Sequence, residues 1–359
     1  MKSKVKILFI SGMRTDFSTG EFSQIRLFTN SFDDTIEYKI ILRKTDYFQF
    51  NTQKLYFYDN NQELKNYISF FNPSIIILSE YQHLNKDFLD YIYTTNITIC
   101  TMDSSSLSKL MYTPPENTIY LKNCPLNNPQ KNTKYDKYWF FAQRNNKILN
   151  KNDIENKFSL VKDSKIVFMS VAPWQYTLSV SEGLDKFYSF VINLLIGSLI
   201  LHNNHVSLFF IYPRKDFNNI VIEKDKVKVL FFDSLDNQTY ESILYNSDLV
   251  ISDNITQVSM AKAFIDGINV LSLINTSERN LLNLFKFNIF PYNYDFLPKL
   301  YSLDYCKLIN KVEVFNKEEV SITINRLLSN KENNHLDYVS KCNELLSSRE
   351  IIEEINKSY

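Results

Sequence analysis

Short apolar runs recur along the chain, each bounded by polar turns, and most are followed by a stretch with helical spacing. In the first half, Lys4–Ser11, Tyr38–Leu42, Leu55–Tyr58, Ile75–Leu78, Ile97–Thr101 and Thr118–Leu121 read as strands. Helices are predicted from Glu21 to about Asn30 and over Gln62–Phe71 and Asn85–Tyr93. From Met111 to Asn146 the chain turns rich in Pro, Asn and Lys, with one aromatic segment, Tyr135–Phe141. Thr118–Leu121 is therefore read as the last strand of a first domain, followed by a long loop and a crossing strand. Lys147–Lys162 is expected to hold the interdomain linker and a short helix.

The second half repeats the alternation. Ile166–Val171 is a predicted strand and Ala172–Tyr176 a turn. Ser179-Val180-Ser181-Glu182 reads as the start signal of a long helix reaching His202. Strands follow at Val206–Tyr212, Val227–Phe232, Asp248–Ser252 and Val270–Leu273. Helices are predicted at Tyr240–Tyr245, Val258–Ile265, Thr276–Phe285, Lys317–Leu328 and Leu336–Asn356. Gly267 closes the Val258 helix, as a C-terminal glycine does. Strand–helix alternation implies parallel sheets. The expected architecture is α/β, with two Rossmann-like domains facing a cleft: residues 1–155, residues 156–335, and a final segment, 336–359, returning to the first domain.

Composition narrows the function. The chain has 359 residues, enough for two domains of ordinary size, and a formal net charge of zero. Without a global basic field, nucleic acid is not the expected partner. The N-terminal apolar run, Val5–Ile10, contains Lys6 and is too short for a signal peptide. The most apolar later stretch, Phe187–Leu201, is shorter than a membrane span and is read as a buried helix. Cys100, Cys124, Cys306 and Cys342 fit no metal spacing and are expected as reduced thiols in the cytoplasm. His202 and His205 sit three apart, but no third ligand stands near them, so no metal site is expected. Neither a P-loop nor a GxSxG motif occurs, and five glycines in the chain leave little for glycine-loop binding.

The stretch DLVISDNITQVSMAKAFIDGINVLSL, starting at Asp248, carries the most chemistry. A strand ends, the loop Asp253–Gln257 follows, and a helix opens with its first-turn N–H groups beside small hydroxyls, an arrangement suited to an anion. This stretch resembles the nucleotide-sugar half of the GT-B glycosyltransferases. Two departures stand out: Asn254 and Thr256 occupy loop positions where relatives carry glycine, and Lys262 stands where many place a ribose-holding glutamate. A lysine cannot accept two ribose hydroxyls as a carboxylate does.

The resemblance implies an enzyme moving a sugar from a nucleoside-diphosphate sugar, UDP-sugar favoured, to a small-molecule acceptor, without a metal or other cofactor. Donor binding would fall to Ser170, Trp174, Arg214, Asp233, Asn254, Thr256, Gln257 and Ser259. Glu21, in the first helical turn after the loop Gly12–Gly20, would be the acceptor-activating base, with Asp16 as the other candidate. Glu80 and Asp103, at strand ends, would be acceptor-side residues, although polar strand ends are common without function. The opening STGEFSQIR is also similar to that of cytosylglucuronic acid synthase-type enzymes, which join a sugar to a nucleobase nitrogen. The missing glycines and Lys262 keep a catalytically silent accessory or binding protein open, and a sugar-nucleotide epimerase is the third alternative. A homodimer and an accessory-subunit pairing are both left open.

Overall fold

The structure is a computed structural model, and it describes residues 4–14, 20–43, 55–79, 84–102, 114–140, 148–181, 186–214, 219–254, 257–274 and 303–358. The chain divides into two compact units, Met1–Phe141 with Ser340–Tyr359, and Ala142–Val339. Each holds a seven-stranded sheet built largely from parallel strands, with helices between them.

In the first unit the strand order is β3-β2-β1-β4-β5-β6-β7, and every pairing is parallel. The strands are β1 (Val5–Arg14), β2 (Ile36–Arg43), β3 (Leu55–Tyr58), β4 (Ile75–Ser79), β5 (Thr98–Met102), β6 (Ile119–Cys124) and β7 (Asp136–Phe140). Helices α1 (Gly20–Thr29), α2 (Asn61–Phe71) and α3 (Lys86–Tyr93) separate the early strands. Asn60 and Asn85 cap α2 and α3 through their side chains, and Asn72 ends α2 in the left-handed conformation. Strands such as β4 are buried throughout, so they read as unbroken apolar runs. The order reverses between β1 and β4, where Ser11 pairs with Ser79 and both are buried.

One expectation is corrected here. The aromatic segment is not a crossing strand: β7 pairs with β6 from Tyr120↔Asp136 to Cys124↔Phe140 and completes the same sheet. Trp139 in β7 is buried against the edge of Phe28, which in turn meets Phe9. The loop between β6 and β7 is thus a crossover inside the sheet.

The second unit has the order β10-β11-β9-β8-β12-β13-β14. Its strands are β8 (Lys165–Ser170), β9 (Val206–Ile211), β10 (Ile220–Lys224), β11 (Val227–Phe232), β12 (Leu249–Ser252), β13 (Asn269–Ile274) and β14 (Asn310–Glu313). All pairings are parallel except the β10–β11 hairpin. The helices are α4 (Lys151–Lys157), α5 (Pro173–Ser181), α6 (Lys186–Ile200), α7 (Asn237–Tyr245), α8 (Val258–Ile265), α9 (Asp304–Leu308), α10 (Lys317–Ser329), α11 (Leu336–Asn343) and α12 (Ser348–Ser358), the last lying in the first unit. The apolar helix α6 packs on β11 and α10 within one continuous core. Among the described residues no helix is long and apolar enough to cross a membrane.

Three further expectations change. Ala172–Tyr176 is not a turn: Pro173 opens α5, because proline's fixed φ suits the first helical position. Ser179–Ser181 therefore end a helix instead of starting one. The Leu336–Asn356 helix is two helices, since Ser347 and Glu350 exchange capping hydrogen bonds and restart the chain as α12. In the first unit α12 buries Ile351, Ile352 and Ile355, and its Glu354 pairs with Lys137 of β7 at 2.8 Å. Gly267 has φ +72°, and a Cβ there would lie 2.7 Å from the His335 ring, so both conformation and space require glycine. The Thr276–Phe285 helix expectation lies outside the described residues.

Candidate functional site

Strand order reverses in the second unit between β8 and β12, and such switch points are where open α/β sheets bind ligands. Ser170 ends β8 and Ser252 ends β12, and Gln257 ties the two ends together. Its amide nitrogen donates to the Ser170 carbonyl at 3.0 Å and to Ser170 Oγ at 2.6 Å. Its oxygen accepts from Ser252 Oγ at 2.5 Å. Gln257 is the residue that caps α8 by position, yet its side chain makes no cap hydrogen bond, because it is committed to the strand ends. The first turn of α8 thus opens at the switch point without a side-chain cap from that residue.

The loop before α8 folds on itself. Asn254 N–H donates to Ser252 Oγ at 2.9 Å, and Gln257 N–H donates to the Asn254 carbonyl at 3.0 Å. Of the amides expected to serve an anion, these two are therefore engaged within the loop. Those of Val258 and Ser259 lie in the first turn of α8, where no preceding helical turn supplies carbonyl partners.

Tyr240, on α7, extends the cluster. Its hydroxyl lies 2.8 Å from Ser170 Oγ and also bonds Ser259, so one phenol joins β8 to the start of α8. Burial raises the Tyr240 pKa, and the hydrogen bonds to Ser170 and Ser259 oppose that rise. Asp253 is the only ionisable group in the loop. Tyr188 OH donates to its Oδ2 at 2.8 Å and Gln175 Nε2 to its Oδ1 at 2.9 Å. Burial raises the Asp253 pKa against the pull of both donors. Gln175 Oε1 accepts from Ala172 N–H at 3.1 Å, so the carboxyl also fixes the entry to α5.

Ser170, Asn254, Gln257 and Ser259 are thus brought together directly or through one shared partner. Arg214 and Asp233 follow β9 and β11 at the same edge of the sheet, but Asp233 is engaged locally by Ser234 at 3.3 Å. Trp174 lies in α5 and Glu21 in the first turn of α1, and the side chains of both are outside the described residues. Asp16, Glu80, Asp103 and Thr256 are outside them altogether. Lys262 does not face an open site. Its Nζ lies 2.9 Å from Glu241 Oε1 of α7, with side-chain exposures of only 10% and 12%.

Ser252, at the end of β12, and Tyr188, Tyr240 and Glu241, each from another helix, are participants that linear reading missed. In the first unit a buried amide cluster was missed as well: Asn123 donates to Gln24 at 2.7 Å and Asn127 to Asn123 at 3.1 Å. His202 Nδ1 accepts from Asn204 N–H at 3.2 Å, and no group that could hold a metal ion occurs among the described residues.

Two seven-stranded, mainly parallel sheets, each in its own unit and each with a central switch point, define a two-domain GT-B-type fold. The chain belongs to a family of unknown function, DUF6365, whose profile matches residues 45–284. No curated protein matches it. Solved structures share its fold over nearly the whole length. The spinosyn rhamnosyltransferase SpnG, complexed with thymidine diphosphate, superposes with a TM-score of 0.60 at 8% identity, covering 98% of this chain and 100% of that one. Sucrose-phosphate synthase from Thermosynechococcus elongatus gives 0.56 at 10% identity, covering 99% and 98%. A putative UDP-N-acetylglucosamine 2-epimerase from Listeria monocytogenes gives 0.55 at 12% identity, covering 99% and 97%. At these identities the likeness establishes the fold.

Proposed function

We propose that the protein is a glycosyltransferase using a nucleoside-diphosphate sugar, UDP-sugar favoured, with a small molecule as acceptor. The observation that carries this reading is the built switch point of the second unit. There Ser170, Ser252, Gln257 and Ser259 hold the start of α8, which Gln257 does not cap with its side chain, at the carboxyl ends of β8 and β12. The donor's diphosphate would lie at that helix start, where the dipole and first-turn N–H groups favour negative charge. Asn254 and Thr256, with Arg214, Asp233 and Trp174 from the neighbouring connections, would complete the donor side. In transfer, the acceptor's proton passes to Glu21, the acceptor atom bonds the anomeric carbon, and the anomeric C–O bond to the diphosphate breaks. The leaving diphosphate takes the bonding pair and is stabilised at the α8 start. Asp16 is the alternative base, and Glu80 and Asp103 the acceptor-side candidates. No resident cofactor is required. The acceptor class extends to nucleobases and natural-product intermediates.

A second reading has its own observation. The Lys262–Glu241 pair closes the place where the resemblance calls for a free carboxylate, which favours a binding protein without turnover. An epimerase acting on the same donor fits the fold equally. A thermal-shift series with UDP, GDP, TDP and CMP derivatives, followed by turnover assays, separates them. Ligand at one hundred times its Kd adds roughly 2.7 kcal/mol of apparent stability. A shift with one nucleotide, lost in Ser259→Ala, together with acceptor-dependent release of the nucleotide that Glu21→Gln abolishes, supports transfer. Conversion of the sugar nucleotide without acceptor marks an epimerase, and binding without either reaction marks the silent protein.

A further inference from the structure

Among the described residues, strand β10 is the outer strand of the second unit's sheet, and all five of its residues are exposed. Three of them are large and apolar: Ile220 is 37% exposed, Val221 51% and Ile222 42%. Such an edge is a template for another strand unless something covers it. We propose that β10 pairs antiparallel with β10 of a second copy of this chain, about a two-fold axis through Ile222, joining two sheets into one. The proposal stands independently of the glycosyltransferase reading.

The register follows from the hairpin. Lys224 pairs with Val227 across the two-residue turn Asp225–Lys226, and Asp225 has φ +54°. In a hairpin of that length the flanking pair exchanges both backbone hydrogen bonds. Alternation then directs the N–H and C=O groups of Lys224, Ile222 and Ile220 inward to β11, and those of Val221 and Glu223 outward. Two copies meeting at Ile222 place Val221 opposite the partner's Glu223, and the reverse. Each outward-facing group then meets a complementary one. Ile222 faces its own symmetry mate in a pair without hydrogen bonds, the closer kind of cross-strand neighbour.

The side chains agree with this arrangement. Ile220 and Ile222 lie on the same face as Phe231 and Val229, their cross-strand partners, which belong to the buried core. They continue that apolar face past its cover, and a second copy supplies the missing neighbours. Lys224 lies opposite the partner's Ile220 and Glu223 opposite the partner's Val221, so no like charges oppose one another. An isologous contact of this kind closes on itself as a dimer.

Sedimentation equilibrium of the full chain tests the idea directly. The expected species has twice the 42.5 kDa chain mass. Val221→Pro removes only an outward N–H and should give monomer with the β10–β11 hairpin intact. Ile222→Glu, at an exposed position, should also give monomer by placing two carboxylates on the axis. Ile222→Cys should form an intermolecular disulfide under diamide, which takes up the two electrons and two protons released. The Cα separation of such a pair, about 4.5 Å, suits the bond. The four native cysteines are buried and serve as background. Lys224→Cys should not cross-link, since its own symmetry mate lies four residues further, about 13 Å away. A monomer at every concentration overturns the proposal. So does a dimer that survives both Val221→Pro and Ile222→Glu, or one in which Lys224→Cys cross-links in preference to Ile222→Cys.

Discussion

Lys262 and Glu241 join α8 to α7 by an ion pair at 2.9 Å whose side chains are 10% and 12% exposed. At that depth water screens little, so each charge depends on the other. Removing one partner of a buried pair costs about 3–5 kcal/mol, because the survivor is left desolvated without compensation. With a tenth of each side chain still exposed, the lower end applies, about 3 kcal/mol for Lys262→Met or for Glu241→Met. Replacing both together removes the charges and keeps the volume, which is often neutral. The double variant should therefore be more stable than either single one. Urea unfolding by far-UV circular dichroism reads the three values, and the phase that moves is taken because two units with separate cores need not unfold together. Single costs below about 1 kcal/mol, or a double variant as unstable as their sum, would refute the claim that this pair is a buried, coupled unit. The same proteins in the nucleotide thermal-shift series report whether Glu241 has a part in donor binding. If the pair is purely structural, the double variant binds as the parent does.

Two further outcomes are expected. Gln257→Ala removes three hydrogen bonds between the ends of β8 and β12, but Ser170 keeps Tyr240 and Ser252 keeps Asn254. The cost should be about 1–2 kcal/mol in urea unfolding, with nucleotide binding weakened far more than stability, and equal binding by the variant would exclude the switch point as the donor site. Asp236 caps α7, accepting from Thr239 N–H at 2.9 Å, and the Thr239 hydroxyl and backbone bonds hold its pKa below the ordinary value of 3.8. A depressed carboxyl pKa contributes stability that is present above the unfolded value and lost as pH falls through the folded one. Asp236→Ala should cost about 1 kcal/mol at neutral pH, and the gap to the parent should narrow as pH drops below 3.8.

The parallel strands were legible because burial on both faces leaves an unbroken apolar run. The predicted bounds of β3, β11 and α8 match the structure residue for residue. What was lost had weak or ambiguous local signals. β10 is short, exposed on both faces and joined to β11 by Asp225–Lys226, a turn without glycine. Pro173 reads as a breaker until its place at the first position of α5 is known. Ser347 to Glu350 carries a capping-box pattern, which marks the restart of the final helix. The places of Ser170 and Gln257, after their strands, were legible in the sequence. Their mutual hydrogen bonds were not, because these residues are 87 apart in the chain. Tyr188, Tyr240 and Glu241 carry no signal in a linear reading, since their roles exist only once helices pack against the switch point.

The departure at Lys262 takes a different electrostatic form in the structure than in the sequence. In sequence, a lysine replaces an acid, and the local charge changes by two units. In the folded unit, Glu241 restores a carboxylate one helix away and cancels the lysine. On the proposed reading, the start of α8 would meet a donor with no net charge from this pair, and attraction for a diphosphate there would rest on backbone dipole, hydroxyls and Arg214. Binding built that way depends on the geometry of the strand ends more than on any single ion pair. Gln257, which fixes that geometry, should then matter more to nucleotide affinity than Lys262 does. An affinity that follows Lys262 and ignores Gln257 would reverse this ordering and place the donor along α8 instead of at its start.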